Sequence, residues 1–492
     1  MLFSSPRFFV FLVVVLAVLA LRLRLRGKLD FLLVASCLFY AAWDYRYLAL
    51  LLGVSAINHH CGLRIHGADD PRVRRRWLAV SVIASLGTLA YFKYTGFLLH
   101  NLNHVLALAG LSVPVLHVLL PAGVSFYTFK TMSYTIDIYR RELLPSRTLM
   151  HYSTYVTFFP ELIAGPIVRA SVFLPQMDRE IGPTVDRLRV GASIFLLGLT
   201  KKLLIADRVA LAADPVFTRP ELFSTPAVWL GVLAYTIQIY CDFSGYSDMA
   251  VGTAKMIGYD LPRNFRMPYL SANVAEFWRR WHITLSTWLR DYLYIPLGGN
   301  RRGGVRTYGN LAVTMLLGGL WHGASWNFVL WGGLHGVALA VHRAQGELRG
   351  GRALLPPVLA VPVTFVFVML CWVPFRSPDW ATTRVILGKL FGLAGPGADF
   401  VPVAVVLCAA ALVLAHAIGV PLDRSVARGS MPAWLGRALG ALGFELRSDP
   451  IAGWYVVLGA STFAGAFVVS TWLLLLFFFA PTGSSPFIYF QF

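Results

Sequence analysis

The sequence predicts an all-α polytopic membrane protein, with about eleven transmembrane helices plus re-entrant or interfacial helices in a shell around a polar cavity. Three observations predict it. First, of 492 residues, 57% are hydrophobic and 14% charged, whereas a soluble domain carries about 25% charged residues. Second, long apolar runs recur at Phe8–Leu21, Phe31–Trp43, Leu48–Ile57, Trp77–Leu99, Val190–Ala206, Val228–Tyr240, Leu354–Trp372, Val401–Val420 and Ile451–Phe479. Third, basic clusters alternate with these runs, as the positive-inside rule requires.

The first run resembles a signal peptide. It is followed by Arg22, Arg24, Arg26 and Lys28 with no small-residue cleavage site, so an uncleaved first span is expected. Its basic flank then faces the cytoplasm. Trp43–Tyr47 lies outside, Arg64 and Arg72–Arg76 inside, the stretch from His100 outside, and Arg140, Arg141 and Arg147 inside. The net charge of +19 fits cytoplasmic loops and anionic headgroups, and no nucleic-acid partner is expected. Five scattered cysteines form no CxxC and point to neither a disulfide framework nor a zinc site. With no repeat or long linker, residues 1–492 are expected to form a single polytopic domain.

Three stretches are too polar or too irregular for ordinary spans: LPAGVSFYTFKTMSYTIDIYRRE (Leu120–Glu142), FFPELIAGPIVR (Phe158–Arg169), and the region from IYCDFSGYSDMA (Ile239–Ala250) to Gly336. Polar residues at membrane depth are costly and face cavities or pathways. Irregular backbone there must be lined by protein or water. Together the stretches predict the polar cavity.

Within the third region, a helix over Glu276–Leu293 would align Trp278, Trp281, Leu285, Trp288 and Tyr292 on one stripe. That stripe reads as packing or an interface belt. On the neighbouring face Arg279, His282, Ser286 and Arg290 would share about a quarter of the circumference. Arginines flanking a histidine and a serine suit contact with the phosphates of an acyl donor such as coenzyme A. The rival reading is a helix lying on anionic lipid. The following PLGGNRRGG, with Arg301, Arg302 and Arg306, reads as a cytoplasmic loop and matches neither common phosphate-binding glycine pattern.

Between Arg306 and Arg343 there is no Lys, Arg, Asp or Glu. Gly309–His322 would make only about 21 Å of helix, short of the roughly 30 Å bilayer core. Gly318, Gly319, Gly323, Gly332 and Gly333 permit close approach or a bend. A tight or re-entrant helical pair with His322 near its tip is consistent with this pattern. A buried imidazole can hold a hydrogen bond for structure or accept a proton near neutral pH. His59, His60, His66, His100, His104, His117, His151 and His342 read as loop or span-end residues. His416 reads as a span residue, and His335 as support at most. No third ligand stands beside His100 and His104, so no metal site is expected.

EFWRRWHITLSTWLRDYLYIPLGGNR, LWHGASWNFVLWGGLHG, FFPELIAGPIVR and YCDFSGYSDMA together resemble the bacterial branch of the membrane-bound O-acyltransferase family. The resemblance covers roughly residues 120–342, and the C-terminal PFIYFQF resembles the ending of an acetyl-transferring subgroup. It implies a helical shell around a tunnel open to both faces. It also implies His322 as the essential histidine and His282 at the second family position. No bound cofactor is implied. The donor would be acetyl-CoA or another acyl thioester from the cytoplasm, and the acceptor a hydroxyl on an exopolysaccharide such as alginate. The partners would be periplasmic acetyltransferase subunits, at the bacterial inner membrane. D-alanyl transfer to teichoic acid is the alternative within the family. A transporter without chemistry is the alternative outside it, since broken helices and buried polar groups also describe transporters.

Overall fold

The computed structural model describes residues 1–116, 118–301, 303–393, 395–427, 433–441, 443–449, 451, 453–459, 463–479 and 487–488. His117, Arg302, Pro486 and Tyr489–Phe492 therefore lie outside the described residues. The chain is mostly helical and forms two compact units, one of residues 1–192 and 250–262, the other of residues 193–249 and 263–492.

The first unit begins with α1 (Pro6–Ala20), α2 (Leu25–Asp44), α3 (Arg46–Gly67) and α4 (Pro71–Leu89), which continues through a π turn into α5 (Thr95–Leu106). Next come α6 (Val124–Tyr139), α7 (Leu149–Thr157), α8 (Ala170–Met177) and the start of α9 (Val185–Thr200). Local chemistry starts several of these helices. The Ser5 hydroxyl accepts from the Phe8 N–H and Pro6 opens α1; the Asp70 carboxylate accepts from the Arg72 N–H and Pro71 opens α4. Both pairs satisfy donors that a helix start leaves open.

α3, α4 and α6 pack through polar side chains. Asn58 Nδ2 donates to Ser85 Oγ (3.1 Å), Ser81 Oγ donates to Asn58 Oδ1 (2.6 Å), and Ser81 and Thr135 share a 2.7 Å hydrogen bond. Small hydroxyl residues of this kind join helices where lipid tails offer no hydrophobic drive. The polar stretch Leu120–Glu142 thus becomes an almost wholly buried α6. Phe158–Arg169 is non-helical and buried, and Glu161 within it pairs with Lys130 of α6.

The second unit holds the end of α9, α10 (Asp207–Thr218), most of α11 (Thr225–Ile257), α12 (Val274–Arg280), α13 (Ile283–Leu289), α14 (Gly304–His322) and α15 (Trp326–Leu348). It continues with α16 (Pro357–Arg376), α17 (Trp380–Leu390), α18 (Val403–Ala427), α19 (Ala433–Ala441), a hairpin of β1 (Phe444–Asp449) and β2 (Gly453–Leu458), and α20 (Phe463–Phe479). The antiparallel register pairs Phe444 with Leu458 and Asp449 with Gly453. This hairpin corrects the expectation of an all-α chain and of one apolar span over Ile451–Phe479. The first part of that run is strand because it alternates buried and half-buried residues, the pattern of a one-sided strand.

α14 and α15 form the tight pair expected from the charge-free segment. A Cβ on Gly319 would lie 2.2 Å from the Phe328 carbonyl oxygen, and one on Gly332 2.3 Å from the Met315 carbonyl oxygen. Only glycine permits that approach.

Among the described residues, four helices are long and apolar enough to cross a membrane: Arg46–Gly67, Pro71–Ala109, Pro357–Arg376 and Val403–Ser425. Pro6–Ala20 and Gly465–Phe479 are shorter apolar helices.

Candidate active site

The helix expected over Glu276–Leu293 is two short helices. α12 starts at Asn273, whose Oδ1 accepts from the Glu276 N–H (2.8 Å), while Glu276 Oε2 reaches back to the Ala272 N–H (2.9 Å). It ends at Trp281. His282 then adopts φ 41° and ψ 56°, and α13 begins. The left-handed region is uncommon for a residue bearing a Cβ. No glycine or proline marks the break. Its cause is tertiary: the Arg266 N–H donates to the Arg280 carbonyl and the Ile283 N–H to the Asn264 carbonyl, both at 2.9 Å.

The break changes the predicted face. Trp281, Leu285, Trp288 and Tyr292 are buried, as the aromatic stripe requires, with Trp278 half-buried. Arg279 and Arg290 are exposed, while His282 is 0% exposed. Arg290 Nε pairs with Asp291 at 2.6 Å, and Ser286 Oγ donates to the Trp281 carbonyl at 3.2 Å. Among the described residues Arg279 has neither a hydrogen bond nor an ion pair. The four residues therefore do not share one continuous helix face.

The two histidines do come together. His322 is the last residue of α14, and Gly323 after it is extended. The ring centroids of His282 and His322 lie 6.4 Å apart. Aromatic rings enclose both. Phe243 of α11 stands edge-on to His282 at 4.7 Å. Trp321, Trp331 and Phe375 approach His322 at 5.0, 5.1 and 5.2 Å. Such T-shaped contacts fix ring planes. Both ring nitrogens of His282 are buried with no hydrogen-bond partner among the described residues. Buried polar atoms usually have a partner, so two open nitrogens on one ring leave room for a water or a bound molecule to supply it. His282 lies outside the four candidate spans. Burial pushes its imidazole down to about 3, so it is neutral near pH 7 and offers one donor and one acceptor.

His335 is also fully buried; its Nδ1 accepts from Trp278 Nε1 (3.3 Å), and its ring stacks on Phe277. That places it behind the aromatic wall. His416 binds its own helix through the Leu412 carbonyl (3.0 Å).

Sequence reasoning missed several neighbours of the histidines. Phe243 lies in a stretch singled out for its polarity, not its rings. Asn264 carried no signal. Close to the end of the chain, Phe487 stacks on Tyr246 at 4.4 Å, and the Ile488 N–H donates to Asp242 Oδ2 at 2.8 Å. Asp242 in turn shares Lys202 with Asp207, at 2.7 and 2.8 Å.

Residues 139–350 match the profile of the membrane-bound O-acyltransferase family. A probable alginate O-acetylase of Pseudomonas aeruginosa is 47% identical over 384 residues, covering 77% of this chain and 72% of that protein. The chain belongs to the membrane-bound O-acyltransferase family. This membrane-bound O-acyltransferase is therefore an acyltransferase and a multi-pass membrane protein. It is also 39% identical to a peptidoglycan O-acetyltransferase of Helicobacter pylori, over 74% of each chain. A teichoic acid D-alanyltransferase of Streptococcus thermophilus is 28% identical, over 52% of this chain and 68% of that protein.

Proposed function

We propose that this enzyme takes an acetyl group from a cytoplasmic thioester of the acetyl-CoA class and passes it across the inner membrane for O-acetylation of an exopolysaccharide such as alginate. The juxtaposition of His282 and His322 in one aromatic enclosure carries the reading. The names of its relatives support the acetyl group and the polymer. The D-alanyl alternative has the weaker support of a more distant relative.

In this reading His322 is the general base. It takes the proton of the acceptor hydroxyl as that oxygen attacks the acyl carbonyl. The neutral His282 donates a hydrogen bond to the oxyanion of the tetrahedral intermediate. The carbon–sulfur bond then breaks, and the departing thiolate takes the proton from His322. Ester and free thiol leave with the charges balanced. Arg279, with Arg290 and Ser286, is assigned to the donor at the cytoplasmic mouth. Of the three, Arg279 is the natural first target, since the other two have protein partners.

The whole chain acts as one acyltransferase domain, with about eleven spans enclosing a tunnel. Periplasmic acetyltransferase subunits are the partners, and the acetyl group reaches the polysaccharide either directly or through such a subunit as relay. Mass spectrometry of the exopolysaccharide with and without the gene tests this. Loss of acetyl esters on deletion is expected. An unchanged ester content, or loss of D-alanyl esters instead, overturns it.

A further inference from the structure

We propose that Asn264 is a positioning residue that caps α13 in place of His282. The inference rests on the proposed role of His282. Helices begin with backbone N–H groups that have no partner within the helix, and the residue at the N-cap normally answers them with its own side chain. In α13 that position belongs to His282, and its side chain makes no capping hydrogen bond. Asn264 supplies the missing contacts from a separate loop. Its Oδ1 accepts from Thr284 Oγ1 at 2.6 Å and faces the Thr284 N–H at 3.4 Å. Its backbone carbonyl accepts from the Ile283 N–H at 2.9 Å. Asn264 is itself 1% exposed, so water does not compete for its oxygen.

Two consequences follow for the chemistry. The left-handed backbone at His282 persists only where its surroundings over-determine it. The Asn264–Thr284 contact fixes the chain just after the bend, and the Arg266–Arg280 contact fixes it just before. The imidazole, relieved of capping, keeps its N–H for the acyl oxygen.

The test uses a gene-deletion strain carrying each variant, pulse-labelled with radioactive acetate. The rate of acetyl-ester formation on the exopolysaccharide is normalised to monodisperse, folded protein. T284V keeps the side-chain volume but removes the hydroxyl donor, and N264A removes the acceptor. Each is expected to slow transfer roughly 10- to 100-fold, the range for a catalytic group displaced by about 1 Å. The N264A/T284V double variant falls no further than N264A alone, because N264A already removes the contact that T284V removes. T284S, which restores the hydroxyl, recovers most of the rate lost in T284V. Full activity per folded protein in both N264A and T284V overturns the proposal, as does equal loss in T284V and T284S. H282A separates the two levels of the argument. If it retains full activity, the role of His282 fails. If it is inactive while N264A and T284V are not, only the capping proposal fails.

Discussion

Gly319 is where the packing of the helical pair meets the chemistry. It lies one turn before His322 on α14, and a methyl group there would sit 2.2 Å from the Phe328 carbonyl oxygen of α15. Carbon and oxygen normally approach no closer than about 3.3 Å. The opposing atom is backbone, so no rotamer change relieves the clash, and the helices must part by roughly 1 Å. Overpacking of this kind costs about 1–3 kcal/mol. In a chain of 492 residues that corresponds to a fall in Tm of roughly 1–3 °C. The separation also moves His322 relative to His282, and a displacement of about 1 Å in a catalytic group costs on the order of 100-fold in rate. Gly309 is the control. It lies on the same helix, and a methyl group added there would have nothing within 4 Å, so G309A should stabilise by about 0.5–1 kcal/mol. Thermal unfolding in detergent and acetyl transfer per folded protein read both variants. A G319A protein indistinguishable from G309A would refute the reasoning.

Two further outcomes follow from the second unit. K202M leaves Asp207 and Asp242 buried without their shared cation. It should cost about 3–5 kcal/mol, seen as lost folded yield, with K202R milder. For pH, the folded imidazole of His282 sits at about 3, below the roughly 6.5 of an unfolded chain. The unfolded state therefore binds the extra proton, and this contribution to stability is full above about pH 6.5 and shrinks as pH falls towards 3. The parent should lose more thermal stability between pH 7 and pH 5 than H282Q. Parallel slopes would place the burial effect elsewhere.

How far the fold could be read depends on where each determinant lies. The α14–α15 pair was legible because its signals are local: a segment without charges, bracketed by Arg306 and Arg343, with glycines at the crossing. The burial of Trp281, Leu285, Trp288 and Tyr292 was legible from helical periodicity, even though the helix is interrupted. The interruption at His282 was not legible. It has no glycine or proline, and its cause is a set of hydrogen bonds to Asn264 and Arg266, which only tertiary structure brings alongside. The same bend separates His282 from the exposed Arg279 and Arg290, which simple periodicity placed on one face. The second strand of the hairpin, Gly453–Leu458, was hidden inside an apolar run. Hydropathy alone does not separate a strand from the start of a span.

The most direct test of the central claim is acetyl transfer by an H322A protein that folds and purifies like the parent. Transfer from a radiolabelled acetyl thioester, followed into polymer ester, should fall by about 100- to 10,000-fold, the usual contribution of a positioned general base. Full acetylation by folded H322A would contradict the account.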